Sequence, residues 1–200
     1  MQQESGSRQR MIEATIDLMR RSGLSGAGIN EIVRASGAPK GSVYHFFPGG
    51  KQQIAAEALT AYSQRVMAFI DAALQSQKKP ALKVRALFDA FARRVEDGQF
   101  RKSCAAGTVC LDLDADLEAL RGVVADAFGA WTAVIARHFA QGDVRAASSF
   151  AGLLLTAFEG AYIRARAERS SRPFEEAGTW LAELAASRFE TGPKARRGAI

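Results

Sequence analysis

Between prolines at positions 39, 48, 80, 173 and 193, apolar residues recur every three or four positions along almost the whole chain. No strand pattern survives beside these stripes, and no Asn-Gly hairpin signal occurs. Helical stripes of this kind are buried only by packing helix on helix. The expected fold is therefore all-α, with about nine helices.

The breaks between stripes place those helices. Ile12, Thr15, Ile16 and Met19 form a first stripe, with Ser7 as its expected N-cap and Ser22-Gly23 as its stop. Ile29, Ile32 and Val33 open a short second helix that ends at Ser36-Gly37. A third is expected from Pro39 to about Phe47, because proline in a first turn misses no N–H. Pro48-Gly49-Gly50 breaks the chain, and a long fourth helix is expected over 51–76. Pro80 opens a fifth that ends at Asp97, whereas residues 98–111 have no clear period and read as a loop with room for a helical turn. Asp112, Asp114 or Asp116 is then the expected cap of a helix carrying Leu120, Phe128, Trp131, Ile135 and Phe139. Asp143 restarts a helix through Phe158 and Tyr162, and the last follows Ser170-Ser171-Arg172-Pro173. The polar, basic tail over 191–200 is expected to be mobile.

Composition narrows the class. With 48% apolar and 24% charged residues the chain can bury a core. Residues 1–10 are polar and lack a leader's apolar stretch, and uninterrupted apolar runs such as 151–158 fall short of the ~20 residues of a membrane span. Two cysteines, Cys104 and Cys110, suit neither a disulfide-stapled scaffold nor a four-thiolate zinc site. They read either as ordinary thiols or as a redox pair across a loop, with Lys102 nearby in sequence as a thiolate-favouring charge. A cytoplasmic protein of net charge +6 is expected, with no membrane partner, no metal and no cofactor. Enzyme motifs are missing: Gly50-Lys51 lacks both the upstream P-loop glycine and a following Ser or Thr, and there is no H-E-x-x-H. A helical interaction module with an incidentally basic N-terminus is the bland alternative.

The three short N-terminal helices carry the most information. Helix, short helix, glycine turn, short helix is the order of a helix-turn-helix, with the turn at Ser36-Gly37-Ala38. The third helix gathers Lys40, Gly41, Ser42, Tyr44 and His45 in about two turns, and Lys51 follows. A cation, a hydroxyl, a phenol and an imidazole all bond phosphates, and Gly41 lets a backbone approach closely. Val43 and Phe46 are expected to pack inward against Ile32 and Ile16, and Phe47 to be core as well. Each residue alone reads as ordinary core or surface; their grouping after a turn glycine points to DNA. Residues 1–54 hold seven basic and four acidic side chains, an excess of +3.

Residues 23–54, GLSGAGINEIVRASGAPKGSVYHFFPGGKQQI, resemble the DNA-binding signature of TetR-family transcriptional regulators. The turn glycine, the Lys-Gly-Ser start of the third helix, the Tyr-His-Phe-Phe run and the lysine after Pro-Gly-Gly all stand in register, and the wording is closest to the multidrug- and flavonoid-type repressors. The resemblance implies that Lys40, Tyr44, His45 and Lys51 hold the DNA backbone while Gly41 and Ser42 lie where base edges are read. Two positions depart from the pattern: Ala27-Gly28 and Ala38-Pro39 stand where hydroxyl caps are common, so phosphate contact there would fall to backbone N–H groups.

The resemblance also implies domains over 1–54 (DNA binding), 55–190 (ligand binding and dimerisation) and 191–200 (basic tail). The expected protein is a repressor that binds a palindromic operator as a homodimer through helices near 143–169 and 173–190. A small lipophilic effector would release it, and Phe88, Phe91, Phe100, Cys104, Val109, Phe128, Trp131, Ile135 and Tyr162 are its candidate lining.

Overall fold

Residues 2–39, 41–114, 117–140 and 143–190 are described by a computed structural model, with side chains from residue 6 onward. Lys40, Asp116 and the tail over 191–200 lie outside the described residues. Among those described there are nine α-helices and no strand: α1 Gln2–Ser22, α2 Ile29–Ser36, α3 Ser42–Phe46, α4 Gly50–Gln75, α5 Pro80–Asp97, α6 Ala105–Leu111, α7 Glu118–Arg137, α8 Val144–Glu168 and α9 Arg172–Ala185. A π-turn over Ala186–Glu190 closes the series.

Four local expectations need correction. Ser7 lies inside α1 and caps nothing, and its hydroxyl accepts from the Arg10 guanidinium at 3.0 Å; the Gln, Glu and Arg around it are good helix formers, so the helix starts earlier. The third helix begins at Ser42 rather than Pro39, because the Pro39 carbonyl accepts both the Ser42 N–H at 3.0 Å and the Ser42 hydroxyl at 2.6 Å. The expected loop over 98–111 contains α6, whose small and β-branched residues hid its period; Cys104 caps it, Sγ accepting the Gly107 N–H at 3.5 Å. Asp112 does not cap α7: its carboxylate accepts the Ser25 N–H at 2.9 Å. Asp143 does cap α8, accepting the Ala146 N–H at 2.9 Å.

The chain forms two compact units, one of residues Met1–Ala68 with Gly98–Trp131, the other of Phe69–Asp97 with Thr132–Ile200. In the first, Met11, Met19, Ile32, Val43, Phe47, Ile54, Leu59 and Trp131 are interior. The Trp131 indole N–H donates to the Ser63 carbonyl at 3.1 Å, and Tyr62 meets the ring edge-on. The segment leading into α6 is fastened to the end of α1. The Ser103 N–H donates to the Arg20 carbonyl at 2.8 Å, the Arg20 Nε–H donates back to the Ser103 carbonyl at 3.0 Å, and the Thr108 hydroxyl reaches the Met19 carbonyl at 2.8 Å. The Ser103 N–H thereby occupies the Arg20 carbonyl, which the C-terminus of α1 would otherwise leave without a helical partner. Arg65 of α4 forks onto Glu13 of α1, and that hydrogen bond holds the Glu13 carboxyl below its ordinary value of 4.5.

The second unit is built on aromatic rings. Phe88 and Phe158 stack at 4.2 Å, Phe91 lies 4.6 Å from Phe158, and Tyr162 meets Phe174 edge-on at 5.2 Å. Helix α9 approaches α5 closely at Gly178, where a Cβ would stand 2.7 Å from the Cβ of Phe88.

By length and composition, α7 and α8 are apolar enough to cross a membrane, with 33% and 39% of the qualifying stretches buried. The two helices reach that hydropathy through alanine-rich turns with widely spaced charges, without an uninterrupted apolar run of that length.

Gly37 and Gly178 separate two costs. Gly37 closes α2 at φ 64 with nothing within 4 Å of a would-be Cβ, so Gly37→Ala should cost only the backbone penalty, about 1–2 kcal/mol. Gly178→Ala collides with Phe88, and overpacking of roughly 1–3 kcal/mol should outweigh the better helix propensity of alanine. Urea unfolding should find both variants destabilised, Gly178→Ala through overpacking although it creates a better helix former.

Candidate nucleic-acid interface

Helix α2 buries Ile32 and ends at the left-handed Gly37, whose conformation costs an L side chain energy that glycine escapes. Its N-cap Gly28 is extended and makes no side-chain cap bond, and Ala27 before it is wholly buried. The position that departs from the family pattern thus serves the core. Ala38, the second departure, is also buried, and its N–H donates to the Ser36 hydroxyl at 3.3 Å.

After this turn, Val43 and Phe47 are sunk completely, one helical turn apart. Their burial sets the direction of everything else on α3. Tyr44 is 61% exposed and His45 is exposed. Phe46, expected to pack inward, is only half-buried and meets the His45 ring at 5.0 Å. The i, i+4 partner of Val43 wins the interior, and Phe46 is turned toward the rim.

The turn from α3 to α4 is braced from below. Phe47 donates its N–H to the Val43 carbonyl at 2.7 Å, and Gly50, at φ 61, donates to the Phe47 carbonyl at 2.8 Å. The Arg8 guanidinium lies 5.0 Å over the Phe47 ring and pairs with Glu57 of α4. Glu57 accepts from the Gln53 amide at 3.0 Å, and the Gln53 carbonyl oxygen accepts the Gly49 N–H at 2.8 Å. Arg10 donates from Nε to the Ser36 carbonyl at 3.1 Å, closing the end of α2. Sequence reasoning passed over Arg8, Arg10, Gln53 and Glu57. The available signal was the four-residue spacing Gly49, Gln53, Glu57, which lines up one face at the start of a helix.

Of the expected DNA-facing residues, Gly41, Ser42, Tyr44, His45 and Lys51 all fall on α3 or at the start of α4, while Lys40 is outside the described residues. Gly41 has nothing within 4 Å of a would-be Cβ, Ser42 spends its hydroxyl hydrogen on Pro39, Lys51 is half-buried, and Tyr44 lies against Gly50.

The expected effector lining divides between the two units. Phe88, Phe91, Ile135 and Tyr162 are buried in one; in the other Cys104, Val109 and Trp131 are buried and Phe100 and Phe128 half-buried. Cys104 is buried and Cys110 exposed, with no disulfide between them, and Lys102 is paired with Asp17 at 2.5 Å.

Residues 11–58 match the family of bacterial regulatory proteins named tetR, and residues 80–179 match the C-terminal domain of LmrA/YxaF-like transcriptional regulators. Among curated proteins, the HTH-type transcriptional regulator YxaF of Bacillus subtilis is 31% identical over 68% of this chain and 72% of its own. Regulator Rv0196 of Mycobacterium tuberculosis is 30% identical over 85% and 89%. Among solved structures, the regulatory protein TetR from Rhodobacter sphaeroides superposes with a TM-score of 0.79 at 23% identity, over 88% of this chain and 97% of that one. A cysteine mutant of the TetR-family regulator CifR, complexed with 26-bp double-strand operator DNA, gives 0.77 at 16% identity, over 88% and 95%. At these identities the structures establish the fold.

The inversion of Phe46 and Phe47 is directly measurable. Phe47→Ala should cost about 3–5 kcal/mol, as expected of a wholly interior phenylalanine, whereas Phe46→Ala should cost about 1 kcal/mol or less. Equal losses in chemical denaturation would contradict this packing.

Proposed function

Because the chain belongs to the TetR family of bacterial transcriptional regulators, we propose that it is a homodimeric repressor of a palindromic operator, released by a small lipophilic or aromatic effector. The observation that carries the DNA-binding face is the exposed Tyr44 beside His45 on a helix that follows a left-handed glycine turn. In this reading the Tyr44 phenol, His45 and Lys51, with Lys40, bond phosphates and fix the register, while Gly41 and Ser42 approach base edges. The operator complex of CifR, a protein of the same fold, supports a duplex partner. The LmrA/YxaF-like match over 80–179 supports placing the chain among multidrug- and flavonoid-type repressors.

Dimerisation follows from the geometry of a palindrome, whose half-sites lie one DNA turn, ~34 Å, apart. The proposed interface is on α8 and α9. Along α8 the exposed Leu153, Gly160 and Ile163 share one stripe, and on α9 Trp180 is 72% and Leu184 42% exposed. Ala151, Phe158 and Ala161 of the same helix are buried in the chain's own core. We assign residues 1–54 to DNA binding, 55–190 to effector binding and dimerisation, and 191–200 to a basic tail, in a cytoplasmic protein. The effector is taken up in the second unit, among Phe88, Phe91 and Tyr162. Its binding shifts α4 and so weakens operator affinity; linkage requires the operator to weaken effector affinity by the same factor.

Two measurements test the reading. Tyr44→Ala and Lys51→Ala should each weaken binding to a duplex enriched from a random pool by the wild-type chain, and Lys51→Ala should lower the salt slope by about 0.9. Unchanged affinity in both would reject the assigned face. Trp180→Glu should shift the sedimenting species from dimer to monomer without loss of helical content, because it places a charge in an apolar contact. A variant that still sediments as a dimer would move the interface elsewhere.

A further inference from the structure

Arg8 is only 40% exposed and Glu57 only 30%, although each stands among the charged residues of a helix surface. Their pair is the first link of a continuous chain: Arg8 over Phe47 and onto Glu57, Glu57 to the Gln53 amide, Gln53 to the Gly49 N–H. Both ends of the chain, Phe47 and Gly49, lie on the α3–α4 turn. Gly49 has no side chain with which to fix itself, and a Cβ there would press on Gln53 at 3.1 Å. The backbone N–H of Gly49 is therefore aimed by Gln53, and Gln53 is aimed by Glu57. Phe47, the anchor of α3, is held from the side by the Arg8 plane, whose flat guanidinium stacks on an aromatic face.

We propose that Arg8, acting through Glu57 and Gln53, is a positioning group for the DNA-reading helix, holding the turn that sets Tyr44 and Lys51 without itself touching DNA. The inference rests on the DNA-binding reading of α3. It makes a prediction of opposite sign to simple electrostatics. Glu57 is an acidic group in the DNA-binding unit, so removing its charge should tighten binding to a polyanion if charge alone counted. If Glu57 positions the turn, removing its charge loosens binding.

The test uses the full-length chain and a duplex enriched from a random pool by the wild type, with affinity followed by fluorescence anisotropy across a range of salt. Glu57→Gln should bind roughly three- to tenfold more weakly with an unchanged salt slope, since the coupling of neighbouring groups is lost but no phosphate contact is. Gln53→Ala, which alters no charge and removes only the last link, should weaken binding in the same way and keeps the test informative if Glu57→Gln is poorly folded. Adding Arg8→Ala to Glu57→Gln should cost little more than either change alone. Equal or tighter binding by Glu57→Gln overturns the proposal. So does an Arg8→Ala variant whose salt slope falls by about 0.9, which would make Arg8 a direct phosphate contact. Failure of the DNA-binding reading looks different: Tyr44→Ala and Lys51→Ala would then leave affinity unchanged.

Discussion

An isolated helix needs ~12–15 residues before it holds even marginally in water, and α3 has five. It exists because Val43 and Phe47 are driven into the interior, one at each end, and because the Pro39 carbonyl closes the turn ahead of it. Burying a phenylalanine side chain is worth ~1.5–3 kcal/mol, of the same order as fixing a residue or two of backbone. Two such anchors are enough to stabilise the helix only if the turns on either side are already fixed. That is what the left-handed Gly37 and the braced Gly49-Gly50 supply. The exposure of Tyr44 is therefore a consequence of packing: with Val43 and Phe47 inside, the helical period leaves positions 44 and 45 outside.

The same economy operates where α1 meets α6. A helix of seven residues is also below the length that holds alone, and α6 is stitched to α1 by backbone and side-chain bonds instead of by a large apolar face. The reciprocal pair between Arg20 and Ser103 joins two otherwise unsatisfied termini, and Asp112 extends the seam to Ser25. Buried polar groups left unpaired cost ~1–3 kcal/mol each, so such a seam is cooperative: losing one bond exposes its neighbours.

This explains which parts of the molecule could be read from its sequence. Helices α2, α5 and α8 were legible because a periodic stripe coincides with a local stop or cap, Gly37, Pro80 and Asp143 respectively. The exposed positions of Tyr44 and His45 were legible because their spacing after the turn glycine is local. Helix α6 was not, since Ala105, Ala106 and Gly107 carry no amphipathic signal and its stability comes from α1. Phe46 was misassigned to the interior for a related reason, whereas Phe47 is core as expected. Both are phenylalanines on a short helix, and only the identity of the other anchor, Val43, decides which of two adjacent rings turns inward. Asp112 carried genuine capping chemistry that a tertiary partner, the Ser25 N–H, claimed, whereas Ser7 lies within a helix that starts before it.

The basic excess of residues 1–54 can now be divided by what each charge is doing. Arg21 and Arg34 sit in exposed pairs with Asp17 and Glu31, and Arg34 is 78% exposed. A surface ion pair of this kind is worth ~0–1 kcal/mol, so it yields readily to a stronger anion such as a phosphate. Arg8, Arg10 and Arg20 are different: each is bound to a backbone carbonyl or stacked on a ring, in geometry that redirecting the side chain would destroy. Net charge therefore overstates the attraction this unit can offer a polyanion, because three of its arginines are committed to the fold. In the proposed DNA-binding reading, what remains for recognition is a small set of groups whose positions, more than their charge, decide the contact. The length of α3 and the bracing of its flanking turns would then limit that set to a few side chains, held by residues outside the recognition chemistry.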